Sequence, residues 1–365
     1  MSRFGRRSIG TLTQAANNVN QQSVWTKPLT SISGKTYSGT TPFSALNAGL
    51  ATWEGTGVPI YRVGTYATAT VQYRDNFSDL YNGIYLNANN TTSNNSVISG
   101  QCANTFPTPY NTYSTQQANA AGSMLVIPSS YDKLLNPTAI PKIIYSGGVG
   151  IRSANNPDSH LVIIQPDGTI FESYATIILN NGNITCSRYK LTKPSLGGDG
   201  WQNGVRASMI PTYMGVLTAQ DLSANTANIG HAIACVIPAT QLTTSYVFPA
   251  LAFDRNALSN NPAYSGTIPM GARLAIPMST NIETVIAGLE SPQWYPQGGI
   301  MPKIARCMQN YGIIVVDRGG AGVTLIDQQG PLETPYDFSL NQDIETLVRQ
   351  CQVVTVSENN FFHSG

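Results

Sequence analysis

Three histidines bound any imidazole chemistry in this chain: His160, His231 and His363. His363 lies in the run Phe361-Phe362-His363-Ser364-Gly365 and reads as a surface residue. His160 and His231 each open an apolar, β-rich run. The first of these passes through Pro166-Asp167-Gly168 into a second β-rich run ending at Tyr174, which is a hairpin signal. Such a hairpin sets His160 opposite or near Tyr174, and Glu172 near Val162. The two-residue period then puts His160, Glu172 and Tyr174 on one face. An imidazole beside a carboxylate can move protons, so His160, Glu172 and His231 are the candidates for acid–base catalysis. The plainer reading, a satisfied polar cluster at a sheet rim, ranks ahead of it.

Arg273 and Asp317 interrupt otherwise apolar strands. In a chain with few charges, each reads as half of a buried pair or as a ligand contact. Asp199 and Arg206 flank Trp201 in GGDGWQNGVRAS, and Trp294-Tyr295 sits in SPQWYPQGG. Aromatic faces stack on sugar C–H surfaces while polar side chains bond the hydroxyls, so both places suit a glycan. Core filling is the alternative for each Trp. The sequence has no G-x-S-x-G elbow, no P-loop and no H-E-x-x-H, and nothing singles out a carboxylate pair. The five Cys are widely spaced without a C-x-x-C. Neither a zinc site nor a disulfide scaffold follows, and Cys235, Cys307 and Cys351 read as buried thiols. No metal and no cofactor is expected.

Composition restricts the partners. Only 11% of the 365 residues are Asp, Glu, Lys or Arg, against about 25% in an ordinary soluble domain. The formal net charge of +1 gives no electrostatic basis for binding nucleic acid. With 41% hydrophobic residues the chain is too apolar for intrinsic disorder. No stretch reaches the roughly 18 consecutive apolar residues of a membrane span. The surface must therefore be built from Asn, Gln, Ser, Thr and the 18 Tyr.

Residues 1–115 are a low-complexity region of short apolar pieces among Thr, Ser, Asn and Gly, including the turn-prone NANNTTSNN. The sequons within it arise by chance from so much Asn. The region reads as an attachment or oligomerisation segment, extended and β-rich. Beyond it, β-rich runs recur with turn signals about every ten residues, the rhythm of a sandwich or barrel. The runs opening at His160, Thr176 and Asn183 belong to hairpins, and the one opening at His231 is continuous, as in a strand covered on both faces. Residues 302–311 and 340–350 have helical spacing, with Gly312 closing the first. The expected fold is mainly β: a β-sandwich or jelly-roll-like domain over 116–365 with two short packing helices. No 20–50-residue repeat supports a β-helix.

From about 155 to 355 the chain resembles a poorly characterised family of bacterial secreted and cell-envelope proteins with β-sandwich folds. The resembling pieces run in order: Ser159-His160-Leu161-Val162-Ile163, Phe171-Glu172, Gly200-Trp201, Ala207-Ser208 and Ile229-Gly230-His231-Ala232-Ile233. They continue with Val247-Phe248-Pro249-Ala250, Met270-Gly271-Ala272-Arg273-Leu274 and Gln309 through Asp317. The resemblance implies a shared β fold and a glycan-facing cleft around His160, Glu172, Ser208, His231 and Arg273. It names no activity.

An uncharged, amide-rich surface is typical of extracellular proteins, yet the chain opens at Met with Arg6-Arg7 and no apolar stretch behind them. The expectation that reconciles these is a structural protein of a bacteriophage particle, made in the host cytoplasm and exposed after release. Residues 1–115 would dock to other virion proteins, and a homo-oligomer, a trimer for preference, would protect the strand edges. The alternatives are a glycoside hydrolase or polysaccharide lyase, and a non-catalytic secreted adhesin.

Overall fold

The computed structural model describes residues 24–50, 58, 60–62, 66–74, 102–103, 124–128, 142–143, 160–164, 170–174, 177–178, 184–186, 188–192, 204–223, 225–254, 257–258, 262–290, 299–320, 322–328 and 338–356. In chain order the strands begin with β1 (Thr36–Tyr37), β2 (Ala48–Leu50), β3 (Ile60–Arg62), β4 (Tyr66–Arg74), β5 (Cys102–Ala103), β6 (Met124–Pro128) and β7 (Lys142–Ile143). Next come β8 (Leu161–Ile164), β9 (Ile170–Tyr174), β10 (Ile177–Ile178), β11 (Ile184–Cys186) and β12 (Arg188–Thr192). The last are β13 (Ile233–Pro238), β14 (Leu242–Tyr246), β15 (Ile268–Met270), β16 (Arg273–Ala275), β17 (Ile313–Gly319), β18 (Val323–Leu325) and β19 (Gln352–Thr355). The helices are α1 (Ala219–Leu222), α2 (Ile282–Ala287), α3 (Ile300–Asn310) and α4 (Phe338–Val348). Among the described residues strand outweighs helix, so the fold is sheet-rich with few helices.

The chain forms two compact units. One carries the elements of Gly55–Gly198 with Asn203–Val205; the other carries those of Ile9–Glu54 and Arg206–Gly365. In the first unit β12, β9, β8 and β3 form one sheet, and β5, β4, β11, β10 and β7 form another with β6 on β4. Residues 161–164 are buried without alternation, which is why they read as a continuous apolar run. Phe171 and Tyr189 pack against each other with ring centroids 5.9 Å apart.

The second unit is built on a seven-stranded mixed sheet in the order β1-β19-β16-β17-β13-β18-β2. β13 lies near its middle, parallel to β17 and antiparallel to β18. Its run of small and β-branched residues is buried except at Val236. β17 and β18 bracket a Gly-rich turn in sequence but do not pair with each other, because β13 lies between them. Parallel β13 and β17 need a long crossover, and the intervening segment supplies β14 to β16, α2 and α3.

The two helices expected from spacing are present as α3 and α4. α3 buries Met301, Ile304, Ala305 and Met308 and carries Pro302 in its first turn, where the missing N–H has no intrahelical partner to lose. Gly312 ends it at φ +79°, in the left-handed region. α4 buries Leu340, Ile344, Leu347 and Val348. Around the sheet, Trp25, Leu29, Ile32, Phe43 and Leu50 complete the core. Each such side chain contributes roughly 1.5–3 kcal/mol of burial.

Candidate functional site

The first unit holds two of the three catalytic candidates. Antiparallel pairing of β8 and β9 sets Leu161 opposite Ser173 and Val162 opposite Glu172. His160, just before β8, therefore falls beside Tyr174, and their ring centroids are 5.2 Å apart. This is the register that the Pro-Asp-Gly turn implies, although the turn itself lies outside the described residues. Glu172 is fully buried, and its Oε1 accepts a hydrogen bond from the Val205 backbone N–H at 3.0 Å. On β12, Lys190 is the register partner of Glu172. Burial pulls the Lys190 ammonium below its ordinary pKa, and the charge of Glu172 pushes part of the way back. Lys190 was not singled out from sequence, although its place in RYKLT, across from Glu172, depends only on pairing.

His231, the third candidate, belongs to the other unit. It sits in a buried polar cluster built by a short helix. Thr218 caps α1: its Oγ1 accepts from Asp221 N at 3.2 Å, while Asp221 Oδ2 accepts from Thr218 N at 2.8 Å and from Thr218 Oγ1 at 2.6 Å. The same carboxylate oxygen lies 3.3 Å from His231 Nε2. His231 Nδ1 lies 2.8 Å from the Ala232 carbonyl, which can only accept. Both ring nitrogens thus face acceptors, and the doubly protonated imidazolium is the form that satisfies both.

The electrostatics agree with that geometry. Burial would lower the His231 pKa, but the hydrogen bond to Asp221, its charge and the Ala232 carbonyl leave it raised. Burial would raise Asp221, but His231 and Thr218 leave it lowered. Lys303 of α3 donates to the carbonyls of Asp221 at 3.1 Å and Ser223 at 2.7 Å, at the end of α1. Cys307 Sγ donates to the His231 carbonyl at 2.9 Å. The cluster fastens α1, the start of β13 and α3 together. Both ring nitrogens of His231 are thus held by acceptors where these three elements meet.

Arg206 and Ser208 lie on a buried loop before α1. Arg206 Nη2 donates to the Thr212 carbonyl at 3.1 Å, and Ser208 Oγ accepts from Ile210 N at 3.2 Å. Asp317 Oδ2 accepts from Ala207 N at 3.3 Å. Arg273 is buried and donates to the Tyr311 carbonyl at 2.8 Å and to the Val24 carbonyl. Burial pushes its pKa down to about 10. Trp201, Trp294 and Tyr295 lie outside the described residues.

Within one unit His160 and Glu172 share a hairpin face; within the other, Arg206 and Ser208 share a loop, His231 bonds Asp221, and Arg273 reaches the Tyr311 and Val24 carbonyls. Asp221 and Lys303 were not foreseen. The T-x-x-D spacing at 218–221 was a legible capping signal, whereas Lys303 is 80 and 82 residues from its acceptors and left no local trace. Among the described residues no group of three His, Cys, Asp or Glu is placed to hold a metal, and no helix is long and apolar enough to cross a membrane. Compared with family models, curated proteins and solved structures, the chain matches none.

Proposed function

We propose that this protein is a structural component of a bacteriophage particle, a tail or head appendage, fibre or spike-like part. In this reading residues 116–365 form a β-sandwich or jelly-roll-like domain that meets a host glycan, and residues 1–115 attach to other virion proteins. The observation that carries it is the use of charge. Only 39 of 365 residues are Asp, Glu, Lys or Arg, and in the second unit Asp221, His231, Lys303 and Arg273 are buried and bonded to each other or to backbone. A surface of amides and hydroxyls lets many identical copies pack closely without like-charge repulsion. Polar groups spent on the framework suit a building block better than a catalyst.

The test has two parts. Light scattering on the purified full chain should give three times the single-chain mass, and antibodies to it should decorate purified particles in electron micrographs. A chain that stays monomeric at tens of micromolar and is missing from the particles overturns the reading.

One observation favours a second reading, a glycoside hydrolase or polysaccharide lyase. His160, Tyr174 and Glu172 share one face of a buried sheet. Polysaccharide cleavage by the full chain, lost in both His160→Ala and Glu172→Gln with the fold intact, would establish it. His231→Ala is expected to act on stability instead.

A further inference from the structure

Within the second unit, β14 and β15 form a two-stranded sheet, and among the described residues no further strand adjoins β14. Its outer edge is therefore open. Val247, just past the strand, turns its N–H inward to the Met270 carbonyl at 2.8 Å. Backbone groups alternate in direction along a strand, so those of Thr244 and Tyr246 point outward. Thr244, Ser245, Tyr246 and Val247 are exposed in succession, without the alternation of a strand laid on a core.

The exposed edge is apolar and uncharged. Tyr246 is 51% exposed and Val247 44%, and the Tyr246 ring lies 6.4 Å from that of half-buried Phe253. Among the described residues, the exposed large hydrophobics other than Met278 all fall between Tyr246 and Leu258. No Asp, Glu, Lys or Arg occurs between Asp221 and Asp254. Open edges are normally blunted by charge, Pro or a covering element. β14 has neither charge nor Pro, and its irregularity lies in the pairing with β15. A charged partner finds no counter-charge on this edge, whereas a second copy meets an edge as neutral as its own.

We infer that β14 pairs with β14 of a second copy, antiparallel about a two-fold axis at Ser245. Thr244 then lies opposite Tyr246, and Thr243 opposite Val247. These cross-strand pairs set β-branched residues against an aromatic or another β-branched side chain. Thr244 and Tyr246 exchange their outward N–H and C=O groups as ladder hydrogen bonds. Ser245 faces the Ser245 of the second copy at the non-hydrogen-bonded position, where opposed Cα atoms approach to about 4.5 Å. The contact is isologous and stands independently of the trimer that residues 1–115 would set. So short an edge associates weakly in solution and counts most where many copies are held close together, as in a particle.

The test is light scattering of the full chain between about 5 and about 500 µM, a range that brackets a weak contact. The mass of the parent chain should double across it, whatever the mass at the low end. Ser245→Lys and Ser245→Glu, each on an exposed side chain, should each abolish the doubling, because like charges then face each other across the axis. An equimolar mixture of the two variants should restore it. No doubling of the parent chain overturns the contact, as does doubling that persists in Ser245→Lys, or a mixture that fails to recover. None of these outcomes touches the particle reading, which fails separately if the chain is missing from purified particles.

Discussion

Asp221 and His231 titrate against each other where water hardly reaches, and this gives stability a pH window. The folded-state pKa of His231 lies above its ordinary 6.5, so its contribution is complete below that value and is lost as the pH rises through the raised one. Asp221 lies below its ordinary 3.8, so its contribution is complete above that value and is lost as the pH falls through the lowered one. Urea midpoints should therefore be highest at mildly acidic pH and decline towards about pH 9. A midpoint flat from about pH 5 to 9 would show that His231 carries no proton to lose. Asp221→Asn should remove the alkaline decline and cost about 3–5 kcal/mol near pH 6, because a buried imidazolium is left without its counter-charge. At this scale the facing of His160 and Tyr174 was legible, since a hairpin with a period of two fixes which residues meet. The His231 partner was not: a capping box announced Asp221 as a helix start, and nothing local said which imidazole would approach its carboxylate.

Gly312 shows what an element junction demands. It ends α3 and starts β17 at positive φ, and a Cβ there would lie 2.5 Å from the Leu274 carbonyl and 3.3 Å from Ala275 Cβ. Gly312→Ala therefore combines left-handed strain with a backbone clash and should destabilise by about 2 kcal/mol or more in urea melts. A loss under about 0.5 kcal/mol would mean that the α3–β17 junction can relax. The helix was readable from Pro302, the apolar spacing and Gly312, because each signal is local. That β17 and β18 do not pair with each other was not readable from the Gly-rich segment between them. β13, some eighty residues earlier, supplies an apolar strand needing hydrogen bonds on both edges, and it takes the place between them.

For the whole molecule the scarcity of ions has a measurable consequence. The exposed pairs among the described residues include Arg306 with Glu283 at 2.9 Å and Arg349 with Glu345 at 3.2 Å. Exposed pairs of this kind are screened by salt and add little, while the buried Asp221–His231 pair is screened far less. The melting temperature should therefore shift by less than about 3 °C between 50 mM and 1 M NaCl. A larger drop would point to an ionic interface, within the chain or between copies, and would weigh against assembly through neutral surfaces. The same scarcity is why each buried charge is informative: Arg273, Lys303, Asp221 and Glu172 are held where ordinary burial would exclude them.

By itself the sequence determined the sheet-rich character, the two longer helices and the local register around His160. Those properties depend on composition and on residues within one turn or hairpin of each other. Only the tertiary structure decided that His231 is locked by Asp221, that Arg273 serves distant carbonyls, and that Lys303 reaches the end of α1. Each of these depends on segments brought together by burial in one sheet, and the free energy of that burial has no preferred spacing along the chain.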